Sequence, residues 1–200
     1  MTQATMRKLT VDDIKDLREY ERERDDFRRY IIDLKKRRRV ALGTIMSMVF
    51  ENTDTMRWQV QEMARAERML RDEQIAHEVE TYNELIPGPG QLSATLLIEL
   101  QSDEQLREWL PKLVGIHTAV SIVLPDGSSV RGRADDEERL TRDDVTPAVH
   151  FLKFTFTDEQ IEAFAKGPVR IVVDHPAYSE EIELSDAQRE ELLGDLRSTE

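Results

Sequence analysis

The tetrapeptide Pro87-Gly88-Pro89-Gly90 divides the chain into two parts with different local patterns. Proline cannot continue a helix and glycine favours its end, so this tetrapeptide predicts a firm boundary. Residues 8–87 mostly carry apolar side chains at helical spacing, whereas residues 92–197 mostly carry the alternation of strands. A run of helices followed by a run of strands is typical of the α+β class.

Three helices are predicted in the first part. The first begins at Thr10, three residues before Asp13, and ends near Arg38. The second is capped by Thr53 or Asp54, and the third begins at about residue 72 and ends at the tetrapeptide. The apolar residues expected to be buried are Tyr20, Phe27, Ile31 and Leu34 in the first helix, and Met56, Val60, Met63 and Leu70 in the second.

An apolar segment, Val40–Phe50, interrupts this helical part. Both sets of alternate positions are mostly apolar, which predicts one central strand covered on both faces. Gly43 within it marks a bulge or the close approach of another group. Since the strand needs partners from the second part, we predict one domain over residues 1–200, in which N-terminal helices pack on a mostly antiparallel sheet.

The second part predicts short strands separated by helices and turns. Capping boxes begin helices at Ser102, Thr157 and Ser185, and residues 134–147 predict a charged loop. The predicted strands cover residues 94–100, 118–124, 128–133, 148–156, 169–173 and 178–184.

Composition limits the classes of partner and cofactor. The net charge of −13 disfavours nucleic acid and anionic membranes, so we expect neither as a partner. The basic run Lys35–Arg39 is typical of a helix C-terminus, where cations complement the dipole. The absence of cysteine excludes thiolate metal sites and iron–sulfur ligation by this chain. No signal-like segment and no run of roughly 18 apolar residues is present, so we expect a cytoplasmic protein.

Two histidines are candidate metal ligands. His150 shares a strand face with Leu152 and Phe154, and an imidazole on an apolar face must form a hydrogen bond or bind something. His175 lies in the predicted turn at residues 174–177, where a structural role in the turn is the favoured interpretation and a metal ligand the alternative. Together with Glu62 they would suit a divalent iron, manganese or zinc ion. Nothing in the sequence distinguishes His117.

Four polar residues follow the apolar segment and are candidate ligand-binding groups: Glu51, Gln59, Glu62 and Arg65. Glu62 lies three residues from both Gln59 and Arg65, so each pair can touch on a helix. One interpretation is a buried polar network that joins helix to sheet. The other is a pocket for a small anionic or amide ligand near a helix N-terminus.

Five motifs carry a resemblance to a known family. They are FEN-x-DT, Q-x-QEM-x-R-x-E, YN-x-LIPGPG, AVHFL and DHPAY. With these motifs the chain, from about Lys8 to Leu196, resembles a bacterial family catalogued as domain of unknown function 3501. The resemblance implies no reaction and no site residue. It implies an accessory role in redox or peroxide handling, because members are encoded beside rubrerythrin-like and iron–sulfur oxidoreductase proteins.

Two functional hypotheses follow from these observations. The first is a non-catalytic binding or accessory protein, with a protein partner or a second copy packing on the long N-terminal helix. The alternative is a metal-dependent enzyme or sensor with a carboxylate–histidine site.

Overall fold

A computed structural model of the chain describes residues 6–134 and 144–198, and within them the structure has six α-helices and eight β-strands. The helices are α1 (Leu17–Arg38), α2 (Thr53–Ala66), α3 (Asp72–Asn83), α4 (Asp103–Lys112), α5 (Asp158–Lys166) and α6 (Asp186–Leu196). The strands are β1 (Arg39–Leu42), β2 (Met46–Glu51), β3 (Gln91–Ile98), β4 (Val120–Val123), β5 (Ser129–Arg131), β6 (Val149–Thr155), β7 (Arg170–His175) and β8 (Tyr178–Glu183). The predicted α+β class is confirmed.

The strands form two antiparallel four-stranded sheets instead of one. Sheet A has the order β1-β2-β3-β6 and sheet B the order β5-β4-β7-β8. Sheet A draws strands from both parts of the chain, as predicted. One hydrophobic core contains side chains from both sheets and from the last two helices, among them Phe50, Phe154, Ile122, Phe164 and Leu192. This shared core makes the chain a single α+β domain.

The first three helices pack largely on one another. Tyr30 of α1 contacts Asp54 at the start of α2, and Glu21 of α1 contacts Arg65 near its end, so the two helices run antiparallel. A second, smaller apolar cluster lies under α2 and α3, and it consists of Leu9, Met56, Val60, Val79 and Ile86. None of the helices that the structure describes is both long and apolar enough to cross a membrane.

The prediction of one strand over Val40–Phe50 is wrong. The segment is the hairpin of β1 and β2, in which Leu42 is paired with Met46. The chain turns at Gly43, where the backbone has a φ of +71°. Because Leu42 and Met46 are four residues apart, the alternation of buried side chains continues in phase through the turn and conceals it. The prediction of a strand covered on both faces holds for β2, whose six residues are all buried.

Two predicted details of the second helix are also wrong. Asn52, and not Thr53 or Asp54, is the N-cap of α2, since its side chain accepts a 2.9 Å hydrogen bond from the backbone of Thr55. The Thr53 hydroxyl instead contacts the backbone of Arg7. Leu70 was expected in the buried stripe, but α2 ends at Ala66 and Leu70 is 81% exposed.

The predicted start of the first helix is wrong, whereas its predicted end is confirmed. Thr10 begins only a single 3-10 turn at Val11–Asp13, and α1 starts at Leu17, after its N-cap Asp16, and ends at Arg38. The third helix stops at Asn83, ahead of the tetrapeptide. Most of the predicted charged loop, residues 135–143, lies outside the described residues.

Candidate functional site

Glu62 on α2 is fully engaged by α1. Arg24 donates two hydrogen bonds of 2.8 Å to the Glu62 carboxylate, and the Tyr20 hydroxyl donates a third of 2.6 Å. The bonds from Arg24 are the main reason that the pKa of Glu62 is lowered, while burial is the main reason that the pKa of Tyr20 is raised. This network holds α1 against α2, whereas the structural interpretation of the sequence expected it to join helix to sheet.

The other three ligand candidates lie in different surroundings. Arg65 forms an ion pair with Glu21 on the surface. Gln59 is partly buried. Glu51 is 6% exposed and accepts a 2.7 Å hydrogen bond from Thr95 on β3, while its second oxygen has no partner among the described residues. The four residues therefore do not share one set of contacts.

The structure does not bring the three metal candidates together. Glu62 contacts α1, whereas Nε2 of His175 lies 2.9 Å from the carbonyl oxygen of Val114, and the backbone of Ala177 donates to Nδ1 of His175. His150 contacts neither Glu62 nor His175. Over residues 6–134 and 144–198, no three His, Asp or Glu side chains are grouped so that they could hold a metal ion.

His150 instead pairs with His117, which the sequence did not single out. Their rings are stacked with centroids 5.5 Å apart, and the two residues are 0% and 5% exposed. Nε2 of His150 lies 3.1 Å from the Thr146 hydroxyl, while Nδ1 of each histidine lacks a partner among the described residues. Burial is the main cause that lowers the pKa of His150 to about 4, and His117 adds to it, so His150 is neutral at pH 7.

A cleft of about 240 Å³ lies where the first 3-10 turn, α1 and α2 meet, and we call it the α1–α2 cleft. Aromatic rings, charged groups and one amide line it. These lining residues are Asp13, Lys15, Tyr20, Glu23, Asp26, Phe27, Arg57 and Gln61. It therefore combines apolar surface with groups that can fix the orientation of a ligand, as small-molecule sites do.

Several polar groups of the cleft already have partners. The amide of Gln61 contacts both the backbone nitrogen and the backbone oxygen of Lys15 at 3.0 and 2.8 Å. The Tyr20 hydroxyl is committed to Glu62. These contacts fix the walls of the cleft and leave the ring of Tyr20 as part of its apolar surface.

The carboxylates of the cleft are also paired. Asp13 forms an ion pair with Arg7, whose hydrogen bond is the main cause that lowers the pKa of Asp13. Lys15 pairs with Glu23 at 2.6 Å. Asp26 pairs with Arg29. Each acidic group thus has a cation of the protein beside it.

Arg57 is less well satisfied. Its guanidinium carbon lies 4.6 Å from the centroid of the Phe27 ring, a cation–π arrangement. Its nearest carboxylate oxygen belongs to Asp54, at 3.4 Å, and Asp54 also accepts a 2.7 Å hydrogen bond from Tyr30. Nε of Arg57 is buried and has no hydrogen-bond partner among the described residues.

Comparison with known proteins identifies the family. The family model described as protein of unknown function (DUF3501) matches residues 8–196. The chain belongs to this family. The crystal structure of a novel protein of unknown function from Burkholderia pseudomallei K96243 is similar to it, with 34% sequence identity and a TM-score of 0.88 over 95% of this chain and 100% of that chain. No curated protein matches the chain. The family is thus the one that the five sequence motifs indicated, and the likeness extends through the whole fold.

Sequence patterns did not point to Arg57 or to the cleft. Arg57 follows the buried Met56 in α2, and nothing in its spacing separates it from the 27 other basic residues among the 28 lysines and arginines of the chain. Arg57 of α2 lies over the ring of Phe27 of α1. The sequence does not specify how these two helices are aligned, so this contact is visible only in the tertiary structure. In contrast, Gln61 directly precedes the predicted candidate Glu62 in the sequence, and Tyr20 donates a hydrogen bond to Glu62.

Proposed function

We propose that this protein is a non-catalytic binding protein and that its ligand binds in the α1–α2 cleft. The observation that carries the proposal is the arrangement of the cleft itself. It has aromatic surface from Tyr20 and Phe27 and a guanidinium, that of Arg57, whose buried Nε–H has no hydrogen-bond partner among the described residues. Such a surface can bind and orient a small molecule without changing its own conformation greatly.

The electrostatics of the cleft support binding over proton transfer. A general acid or base works best when its pKa lies near the working pH. Around this cleft the pKa values move away from neutral pH. Those of Asp13 and Glu62 are lowered, and that of Tyr20 is raised. These groups hold constant charges near pH 7 and are suited to fixing charge and shape.

An accessory role beside redox or peroxide-handling proteins in the cytoplasm extends this proposal and has its support in the family resemblance. In that role the occupied cleft would report a ligand to a protein partner. This extension stays a prediction until a partner is isolated from cells that express the protein at native levels.

A fragment screen followed by NMR tests the cleft as the binding site. The full-length protein, labelled with ¹⁵N and with ¹³C in its aromatic rings, is titrated with a library of small anionic, neutral and cationic compounds. We expect shifts that cluster at Tyr20, Phe27, Arg57 and Gln61. The depression beside Leu17, Arg65 and Arg68 serves as the internal comparison. Compounds that bind there or elsewhere while the cleft signals stay unchanged would refute the proposal.

A further inference from the structure

We infer that the α1–α2 cleft binds a small organic anion, namely a carboxylate attached to an aromatic or branched apolar group, and that Arg57 is the residue that recognises its charge. This inference rests on the proposed function, since it assigns a ligand chemistry to the same cleft. It depends on four features: the balance of charges, the position of the guanidinium, the apolar wall and the size of the cleft.

The balance of charges favours an anion. A cationic ligand would have to compete with Arg7, Lys15 and Arg29, which already neutralise the charges of Asp13, Glu23 and Asp26. An anionic ligand meets Arg57, which has only one loose carboxylate neighbour at 3.4 Å. The most weakly paired charged group in the cleft is therefore a cation, the guanidinium of Arg57.

The guanidinium of Arg57 is held in a position that suits a carboxylate. Phe27, beneath it, is itself packed edge-on against Trp58 at 5.4 Å and stacked on Tyr30 at 6.3 Å, so the supporting ring is fixed. The guanidinium carbon lies 4.6 Å from the centroid of this ring, and the planar fork of a guanidinium can donate two N–H groups to one carboxylate. The buried Nε–H of Arg57 has no acceptor among the described residues, which is costly, and a carboxylate that accepted a hydrogen bond from it would remove that cost.

The remainder of the ligand meets carbon surface. The hydroxyl of Tyr20 and the amide of Gln61 are both occupied within the protein, so they do not compete for polar groups of the ligand. The volume of about 240 Å³ lies below the ~300–1,000 Å³ typical of drug-sized ligands, which restricts the ligand to a small molecule. The net charge of −13 repels any anion at a distance, so recognition depends on these local contacts.

Three probes of nearly equal size and different charge test the inference. Benzoate, benzamide and benzylammonium are titrated separately into the full-length protein at pH 7, with the Nε–H signals of the arginines and the ring signals of Tyr20 and Phe27 followed by NMR. We expect benzoate to bind most tightly and to move the Arg57 signal. Benzamide should bind more weakly by about tenfold, which corresponds to the loss of one charge-assisted hydrogen bond.

Matched variants separate the role of Arg57 from a general effect of charge. Arg57→Gln should raise the Kd for benzoate about tenfold or more and leave the Kd for benzamide nearly unchanged. Arg57→Lys should give an intermediate Kd, because it keeps the charge and loses the planar fork. Arg65→Gln makes the same change of charge two turns further along α2, where the partner is Glu21, and should leave both values as they are. Thermal unfolding of each variant verifies that it is folded.

The outcomes distinguish this inference from the proposed function. If benzylammonium binds in the cleft more tightly than benzoate, or if Arg57→Gln leaves benzoate binding unchanged, the ligand is not an anion recognised by Arg57, although the cleft remains a binding site. If none of the three probes moves the cleft signals, the inference is wrong, and the wider fragment screen alone decides whether the cleft binds anything.

Discussion

A buried ion pair between Arg38 and Asp195 ties the C-terminal end of α1 to the C-terminal helix α6. Arg38 is 1% exposed, and two of its nitrogens lie 2.7 Å from the two carboxylate oxygens of Asp195. Glu191 accepts a further hydrogen bond from Arg38 at 3.0 Å. Burial raises the pKa of the Asp195 carboxyl, and the charge of Arg38 opposes that rise. Because removal of one partner leaves the other charge buried, the pair is expected to be far more sensitive than the ion pairs on the surface.

Asp195→Asn should therefore lower the free energy of unfolding by about 3–5 kcal/mol, the range for a broken buried pair. Urea denaturation at pH 7 measures this change. Glu162→Gln is the control, since the Glu162 side chain is 64% exposed in its ion pair with Arg197, and such pairs contribute at most about 1 kcal/mol. A loss for Asp195→Asn no larger than that of the control would contradict the prediction.

The basic run Lys35–Arg39 lies at the C-terminal end of α1, as predicted for cations that complement the helix dipole. Four of its five members also form specific ion pairs that were not predicted, with Asp33, Glu99, Glu191 and Asp195. Asp195 is 157 residues from Arg38 in sequence. Local periodicity carries no information about such a distant partner, and the same reason explains why the stacking of Arg57 on Phe27 was not predicted.

At the level of elements, the turn between β1 and β2 depends on Gly43. Its φ of +71° is unfavourable for a residue with a Cβ atom, and a Cβ built there would collide with the side chains of Tyr178 and Glu180 from β8. The Tyr178 hydroxyl donates a 2.5 Å hydrogen bond to the carbonyl of Leu42. The turn is thus also a contact between sheet A and sheet B, and a side chain at this position would displace Tyr178 and Glu180 from it.

Gly43→Ala should destabilise the protein by more than Gly127→Ala. Gly127 has a φ of +83°, but a Cβ there meets nothing within 4 Å, so alanine costs only the backbone strain of about 1–2 kcal/mol. At Gly43 alanine causes the same strain and also displaces Tyr178, which adds an overpacking cost. We therefore expect Gly43→Ala to lower the free energy of unfolding, measured by urea denaturation, by roughly 3 kcal/mol or more. Equal losses for the two variants would show that the contact with β8 contributes nothing.

Elements were predicted from sequence more reliably than the way in which they pack. Helix caps with side-chain boxes at Thr157 and Ser185 were correct because their hydrogen bonds are local. The hairpin at Gly43 was missed because the burial pattern stays in phase across it. The presence of two sheets was missed because strand periodicity does not specify which strands pair. The candidate cleft was missed for a related reason, since its residues come from two antiparallel helices.

For the whole molecule, the paired histidines lie between the two sheets. His150 belongs to β6 of sheet A, and His117 is in the 3-10 turn, Ile116–Thr118, that leads into β4 of sheet B. Among the described residues His117 is the ionisable group whose charge acts on His150, and the carbonyl of Pro147 partly offsets the lowered pKa. A proton on His150 would be buried in the shared core beside a second imidazole, so the native packing of the two sheets requires the neutral form.

This arrangement predicts a loss of stability in acid. The pKa of His150 is about 4 in the folded protein and about 6.5 in an unfolded chain, so between those pH values the unfolded state binds more protons. The free energy of unfolding should therefore fall as the pH is lowered from about 6.5 to about 4, with a contribution from His150 of about 3 kcal/mol. Carboxylates with lowered pKa values, such as Glu62 and Asp13, lose their contribution only at lower pH.

Comparison of two histidine variants isolates this contribution. His150→Gln keeps a polar group near Thr146 and removes the titration, so its curve of unfolding free energy against pH, measured in urea from pH 7 to pH 4, should be flatter than that of the parent by about 3 kcal/mol. His77→Gln makes the same substitution at an exposed histidine on α3 and is the matched control. If the curves of His150→Gln and the parent run parallel, His150 does not set the acid limit of the fold.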